Sequence, residues 1–463
     1  MRIRDVLLGA LVSYLIIQNV CVANASRVLQ KSQFFANFLQ SNNNGISNNG
    51  TKWAVLVAGS NGWGNYRHQA DVCHAYQILK KSGMKDENII VFMYDDIANS
   101  PENPHPGIII NSPNGSDVYH GVPKDYTGEN VTVNNLFAAI LGNKSGITGG
   151  SGKVVESGPD DYIFIYYTDH GGAGVVEMIY EQLYANDLND ILKKKHEANG
   201  YKSLVFYLEA CESGSMFQGL LPSNINVYAT TASNATEDSW AEYCPNFDAP
   251  LEYDTCLGDL YSISWLEDCD MNDVGSETLQ QQYESVRKRT LEGTVFNGSS
   301  HVMQYGDMSF SGSVLSVYLG DNPSPPTTTT KSSSNVVPQR DAALVHLHHK
   351  IRKSDVNSEE YLLAKKKLSE ELAHREHVDY SINQIGKLLL GHHDHQNGFK
   401  NLRSSGQPLV DDWDCLKTLV KTYAKYCGSL STYGLKYTGE IANACNAGIT
   451  VDQFAAASIQ TCS

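Results

Sequence analysis

The chain has 463 residues and a formal net charge of -16, from 35 Lys and Arg against 51 Asp and Glu. That length favours two or three domains over one. The acidic balance leaves no basic face to neutralise a run of phosphates, which excludes a nucleic-acid partner.

Residues 1–25 read as a secretory signal. Arg2 and Arg4 precede the apolar run Val6-Leu7-Leu8-Gly9-Ala10-Leu11-Val12, and Ala23 and Ala25 offer small-residue cleavage sites. A membrane anchor is the alternative, but Ser13 and Gln18 interrupt a short run, and no later stretch is long enough to span a bilayer. The mature protein is therefore expected to be soluble and lumenal. Residues 26–50 are polar and Asn-rich and suggest an N-terminal propeptide.

From residue 51 the pattern changes. An apolar strand is predicted over 53–59. A helix follows over 68–81, where Val72, Ala75, Tyr76 and Leu79 recur at helical spacing. Further strands are predicted over 88–94, 162–167, 203–208 and 225–230, with a helix over 188–197. This alternation indicates an α/β fold with a mostly parallel central sheet flanked by helices. The core runs over 51–320. Residues 321–340, with Asn322-Pro323-Ser324-Pro325-Pro326 and four threonines, form a linker that cannot build a core. Beyond it, 341–463 lacks strand patterns and reads as a small helical bundle.

Cysteines fall in groups. Cys415, Cys427, Cys445 and Cys462 suggest two disulfides in the tail, with three connectivities allowed by spacing. Cys244 and Cys256 flank a short loop and could pair. Cys73, Cys211 and Cys269 remain. Sequons stand at Asn49, Asn114, Asn130, Asn143, Asn234 and Asn297. The tail is His-rich, with His346, His348, His349, His374, His377, His392, His393 and His395. His374 and His377 could share a helix face, but no carboxylate or Cys completes a standard ligand set. Solvated histidines are the preferred reading, with pH sensing as a middle one. No metal and no cofactor is expected.

Two motifs carry chemistry. The strand over 203–208 runs into Glu209-Ala210-Cys211-Glu212-Ser213-Gly214-Ser215. The strand over 162–167 runs into Thr168-Asp169-His170-Gly171-Gly172. In a parallel sheet, sites form outside the carboxyl ends of strands. These two ends would bring an imidazole beside a thiol, and a neighbouring His favours the nucleophilic thiolate. A buried inert Cys beside an unrelated loop His is the competing reading.

Together with Asn65-Tyr66-Arg67-His68-Gln69-Ala70-Asp71, these motifs resemble the legumain family of cysteine proteases, also called asparaginyl endopeptidases or vacuolar processing enzymes. The resemblance runs from about Trp53 to Ser463. It is nearest to the plant branch, which includes butelase-type peptide asparaginyl ligases. It implies a caspase-like core and an all-helical, disulfide-bonded C-terminal prodomain that caps the active site until acid pH releases it. It implies Cys211 as nucleophile, His170 as general base and acid, Asn65 as the group orienting the imidazole, and amides near Gly171 and Cys211 as the oxyanion hole. Asp169 matches a family position that can form a succinimide. For an Asn-directed pocket it implies Arg67 and His68 on the side-chain oxygen, Glu209 and Asp259 on the nitrogen, and Ser239 beside them. The implied disulfides are Cys415–Cys445, Cys427–Cys462 and Cys244–Cys256. Gln339 could enter the pocket as a longer, unproductive amide, and Asn335 is a candidate processing site. The implied location is the plant vacuole.

The implied thioester can pass to water or to a peptide amine. Gly172-Ala173 replaces the Gly-Pro usual in hydrolytic relatives. Trp240-Ala241 replaces an aromatic residue followed by Gly, and the loop over 245–252 lacks a proline run. All three favour ligation or cyclisation near neutral pH. Against them, Glu242 is expected to bring a charge near the pocket, and 176–180 lacks the expected prolines. The alternatives are an ordinary asparaginyl hydrolase maturing vacuolar proteins and, in another class, a non-catalytic vacuolar binding protein.

Overall fold

A computed structural model of the chain describes residues 50–245, 247–294, 300–321, 335–390 and 406–462. The expected signal, most of the propeptide, most of the linker, Asn49, Asn297, Asn322, His392, His393 and His395 lie outside the described residues.

The centre is a six-stranded sheet in the order β11-β8-β7-β3-β1-β2. Its strands are β1 (Lys52–Ala58), β2 (Ile89–Phe92), β3 (Tyr162–Thr168), β7 (Ser203–Glu209), β8 (Val227–Thr231) and β11 (Met303–Gly306). All pair in parallel except β11, which runs antiparallel along one edge. β3 and β7 are buried along their whole length. That is why they read as continuous apolar runs rather than alternating ones.

Alternate residues feed two cores. Leu56, Phe164, Tyr166 and Tyr207 face helices α1 (Tyr66–Lys81) and α4 (Leu260–Met271). Val57, Ile165, Tyr167, Phe206 and Leu208 face α2 (Val133–Leu141) and α3 (Ala185–Glu197). Trp265 of α4 centres the first core, with its ring edge-on to Phe164, Tyr166 and Tyr207. Helix α5 (Leu279–Thr294) packs outside α4.

Strand limits differ slightly from expectation. The strand predicted from 225 starts at Val227, because Asn226 takes a left-handed φ of 52°. The strand predicted to reach 94 stops at Phe92, and Asp95 turns with φ 66°. Two small sheets were not predicted. One is β4 (Gly171–Gly172), β5 (Val175–Met178) and β6 (Glu181–Tyr184). The other is β10 (Gly258–Asp259), β9 (Trp240–Glu242) and β12 (Val337–Pro338).

The tail is helical, as expected: α7 (Ala342–Lys353), α8 (Glu359–Leu390), α9 (Trp413–Cys427), α10 (Ser431–Gly434), α11 (Thr438–Asn446) and α12 (Val451–Cys462), after a one-turn α6 (Ser316–Leu319). Val378, Ile382, Leu416, Leu419, Tyr423, Ile441 and Phe454 form its core, and Val175 and Tyr184 of the sheet domain join the same cluster. Cys415–Cys445 ties α9 to α11, and Cys427–Cys462 ties α9 to α12. Cys244 and Cys256 are also bonded, while Cys73, Cys211 and Cys269 are free and buried. Among the described residues no helix is long and apolar enough to cross a membrane.

The solvated reading of the tail histidines needs correction at His346 and His374. His346 is buried, with Nδ1 2.9 Å from Asp254 O. His374 Nε2 lies 2.8 Å from Ser431 Oγ, and His377 Nε2 lies 2.8 Å from Cys427 O. His346 and His374 thus close contacts between segments, while His377 stays exposed despite its bond and His348 is exposed, as the solvated reading expects.

Trp265→Ala should destabilise the full chain by about 3–5 kcal/mol, because it empties a site enclosed by three aromatic rings. The shift of the chemical-denaturation midpoint measures this; a loss near zero would show that the core can collapse into the space.

Candidate active site

The register of β3 and β7 sets the site. Thr168 pairs with Glu209, so His170 and Cys211 each lie two residues beyond the same rung. The loops after them pack tightly. A Cβ on Gly171 would stand 2.6 Å from Cys211 O, so only glycine lets the two loops touch. Directly after the cysteine, Glu212 takes φ 48°, a left-handed turn at the strand end.

Asn65 caps α1 and reaches His170. Its Nδ2 donates to Asn61 O at 3.0 Å, which leaves its Oδ1 facing His170 Nε2 at 2.8 Å. The oxygen can only accept, so Nε2 carries the proton. Nδ1 is then the lone-pair nitrogen; it is buried and has no hydrogen-bond partner. Burial lowers the His170 pKa well below its usual value, and the Arg67 and Arg340 cations add to that. Cys211 Sγ accepts the Ser239 N–H at 3.4 Å and lies 3.8 Å from Ser239 Oγ. Burial pushes the thiol far up, against the pull of Arg340. Here thiol and imidazole are both neutral.

A polar pocket opens beside the thiol. Arg67 Nε donates to Asp259 Oδ1 at 2.9 Å. His68 Nδ1 lies 2.6 Å from Ser60 Oγ, and its Nε2 is 3.4 Å from Asp259 Oδ2. Glu209 Oε2 accepts Ser262 N and Oγ, both at 3.1 Å, which leaves Oε1 for the pocket. Burial, then Arg67 and His170, lower the His68 pKa. Burial and Asp259 raise that of Glu209, and burial raises Asp259 against Arg67. Both oxygens of buried Asp169 lack a hydrogen-bond partner, and Oδ1 is 3.5 Å from His68 Nδ1.

Gln339 fills this pocket. Its Nε2 lies 3.2 Å from Asp259 Oδ1 and 3.4 Å from Glu209 Oε1. Its main-chain N–H donates to Ser239 O at 3.0 Å. The residues before it form β12, antiparallel to β9, with Val337 opposite Ala241 and Pro338 opposite Trp240. Ala241 is fully buried against Val337. Asn335 is exposed, a few residues ahead of the paired segment.

Five further residues escaped the sequence reading. Arg340 binds Glu212 through Nη2 and Asp238 through Nε at 2.8 Å, and donates from Nη1 to Thr432 O at 3.1 Å. Glu177 accepts from Thr432 Oγ1 at 3.1 Å. Burial pushes Glu212 up to about 8 and Glu177 up to about 7, against Arg340 in each case. The only available signals were adjacency: Glu212 follows Cys211, and Arg340 follows Gln339. The charge expected from Glu242 does not reach the pocket. That side chain is buried on the far side of β9, 3.7 Å from Arg289.

The helical tail also covers the loop after His170. Thr438 Oγ1 donates to Ala173 O at 3.0 Å, and a Cβ on Gly172 would stand 2.2 Å from Leu435 O. Ligand atoms of His68, Asp169 and His170 lie within 4.8 Å of one another, as do those of Cys211, Glu212 and Asp238. Arg340 engages both carboxylates of the second set.

Residues 52–321 match the Peptidase C13 family, and residues 366–462 match the legumain prodomain. The chain is 57% identical over 422 residues to a vacuolar-processing enzyme of Citrus sinensis, covering 89% of this chain and 85% of that protein. It is 55% identical over 426 residues to a vacuolar-processing enzyme of Vicia sativa, covering 89% and 86%. Legumain of Canavalia ensiformis is 52% identical over 409 residues, covering 87% and 86%. A solved caspase-1 from Spodoptera frugiperda aligns over 59% of this chain and 92% of its own, at 10% identity and a TM-score of 0.35. With its peptidase motifs and its C-terminal prodomain both matched, the chain belongs to the legumain family of cysteine peptidases, family C13.

Proposed function

We propose that the chain is the latent form of an Asn-directed cysteine peptidase whose thioester passes mainly to peptide amines near neutral pH. The observation that carries the specificity is Gln339. A carboxamide lies between Glu209 and Asp259 while its backbone pairs with β9, which is the posture of a bound substrate. A substrate Asn would place its nitrogen there and its oxygen toward Arg67, whose Nη2 has no hydrogen-bond partner in the described structure. Gln339 carries one methylene more, which displaces its peptide carbonyl from the thiol.

In the proposed reaction His170 Nδ1 takes the Cys211 proton as Sγ attacks the carbonyl carbon. The main-chain N–H groups of Gly171 and Cys211 stabilise the oxyanion. The imidazolium then protonates the leaving amine and a thioester remains. Asn65 keeps the proton on Nε2, so Nδ1 serves as base and then as acid. Cys211→Ala or His170→Ala should abolish turnover and self-processing in a folded chain. Wild-type turnover of Gln peptides at the Asn rate would count against the pocket.

Amine capture is favoured by Gly172-Ala173, by the missing proline run in 245–252 and by Ala241. If a substrate follows the path of Val337–Gln339, the Ala241 methyl packs on its backbone and holds the acyl strand over the thioester. Acid shifts the balance toward water, because an α-amine with a pKa of about 8 loses its lone pair. Ala241→Gly should raise the hydrolysed fraction, read as free acid against ligated peptide by mass spectrometry. The second reading, a mainly hydrolytic processing enzyme, is favoured by the names of the relatives. Predominant free acid from the wild type near neutral pH would decide for it. Those names also favour the vacuole as its location.

The prodomain is the proposed inhibitor, released by acid. The sign differs between contacts. Glu212 and Glu177 have raised pKa values under the cap, so protonation favours docking and both oppose acid release. Asp254 has the opposite sense. Burial pushes it up, but hydrogen bonds from His346 and Trp63 outweigh this and hold it low. Its contribution is present above the free carboxyl pKa and is lost as pH falls through the docked value. His170, depressed when capped, also favours release on protonation. Asp254→Asn should therefore move the onset of self-processing to higher pH, read on gels. An unchanged onset would show that the Asp254–His346 contact does not hold the cap.

A further inference from the structure

Behind the pocket runs a line of polar side chains that the proposed reaction does not use. Asp71, on α1 one turn beyond Arg67, is fully buried. Its Oδ1 accepts Asn111 Nδ2 at 2.7 Å, and its Oδ2 accepts the Asp259 N–H at 3.3 Å. That contact sets the Asp71 carboxyl beside the Asp259 carboxyl, close enough for the two to share a proton. Asn111 Nδ2 also donates to Leu257 O at 2.9 Å, which turns Asn111 Oδ1 toward His74 Nδ1 at 2.8 Å. That oxygen can only accept, so His74 Nδ1 donates. His74 Nε2 lies 3.0 Å from Asp270 Oδ2, another acceptor. With both ring nitrogens donating, His74 is an imidazolium. Burial opposes that charge, and Asp270 outweighs it.

The charges around Asp71 locate its proton. Asp259 and Glu209 face it as acids, Arg67 is the cation, and His68 and Tyr166 are neutral. Beyond His74 stand Asp270, Glu267 and, 3.9 Å from Asp270, Lys81. Two adjacent carboxyls out of water cannot both ionise. Asp259 touches Arg67 Nε at 2.9 Å and keeps the charge, so Asp71 keeps the proton.

We propose that Asp71 is a positioning residue of the specificity pocket: a neutral acid that donates to Asp259 and, held by Asn111, His74 and Asp270, aims that carboxylate at the substrate's amide nitrogen. The proposal rests on the Asn-pocket reading above. It adds that Asp71 stays neutral throughout the working range. The discrimination between Asn and Asp side chains then depends on the proton the substrate brings, not on Asp71.

The test uses the full chain after acid self-processing, with kcat and KM measured separately for Asn and Asp peptides across acid to neutral pH. Asp71→Ala should raise KM for the Asn peptide about tenfold, with a smaller change in kcat. Asp71→Asn should recover most of that loss, because a carboxamide donates as a neutral acid does. It should also leave the pH profile for the Asp peptide in place. His74→Ala should raise KM in the same direction, about threefold. An Asp-peptide profile displaced upward by about one pH unit in Asp71→Asn would mean that Asp71 is ionised, and would overturn the proposal. Wild-type KM in Asp71→Ala would also overturn it. If Asp71→Ala does not fold, judged by its melting transition, an unchanged KM in His74→Ala overturns it instead. A wild type with no Asn preference is a separate outcome that removes the pocket reading itself.

Discussion

The parallel register between β3 and β7 is the constraint on which the rest depends. With Thr168 opposite Glu209, the chain leaves the sheet at His170 and Cys211 side by side, while Glu209 still points into the space behind them. A slip of one residue would turn every side chain of a strand to the other face. Burial on both faces forbids that slip, since Tyr166 and Tyr207 belong to one core and Tyr167 and Leu208 to the other. The aromatic packing around Trp265 thereby sets an alignment at the strand ends that no local contact there could hold alone.

Charge is the second organising quantity. Asp71, Asp169, Glu209, Glu212 and Asp259 are buried near two guanidiniums among the described residues, Arg67 and Arg340. Burying ionised carboxylates costs several kcal/mol each unless they are paired or protonated. In the proposed pocket that cost is offset because an Asn side chain offers both a donor and an acceptor, and a wall with charges of both signs reads both. Arg340 belongs to the helical tail, so the proposed release of that tail would remove one of the two cations and readmit water to Glu212 and Cys211. The neutral thiol and imidazole found under the cap are a property of the dry, filled site.

Much of this was legible in the sequence. Strand identity came from unbroken apolar runs, because parallel strands are covered on both faces. The proposed nucleophile and base came from the residues just past those runs. The small sheets were hidden: two glycines form β4, and Val337-Pro338 forms β12 only because β9 offers an open edge. Pairing of that kind depends on a partner remote in sequence. The histidines of the tail were misread for the same reason. His346 looks like a solvated residue on a basic helix until Asp254, distant in the chain, supplies its acceptor. Arg340 carried no local pattern either, since its meaning lies in Glu212 and Asp238.

The proposed inhibition by a segment that imitates substrate poses a physical difficulty. The contacts that hold Gln339 in place are those that would hold a substrate, so a cap attached only there could be displaced by any good substrate. The structure spreads attachment well beyond the pocket. Arg340 binds two acids, Lys350 binds Glu102, His346 meets Asp254, and Thr432 and Thr438 bond Glu177 and the Ala173 carbonyl. Being covalently continuous with the core, these contacts also act at a high effective concentration. These contacts are polar, beside the apolar patch that Val175 and Tyr184 share with the tail, and that choice matters. An apolar interface of similar extent would hold at every pH, whereas polar contacts let protons decide. If acid releases the prodomain as proposed, Glu177 and Glu212 titrate against release while Asp254 and His170 titrate toward it, so the net pH response is a difference of opposing terms. Its position can therefore move through changes at contacts far from the thiol, with the catalytic residues themselves left intact.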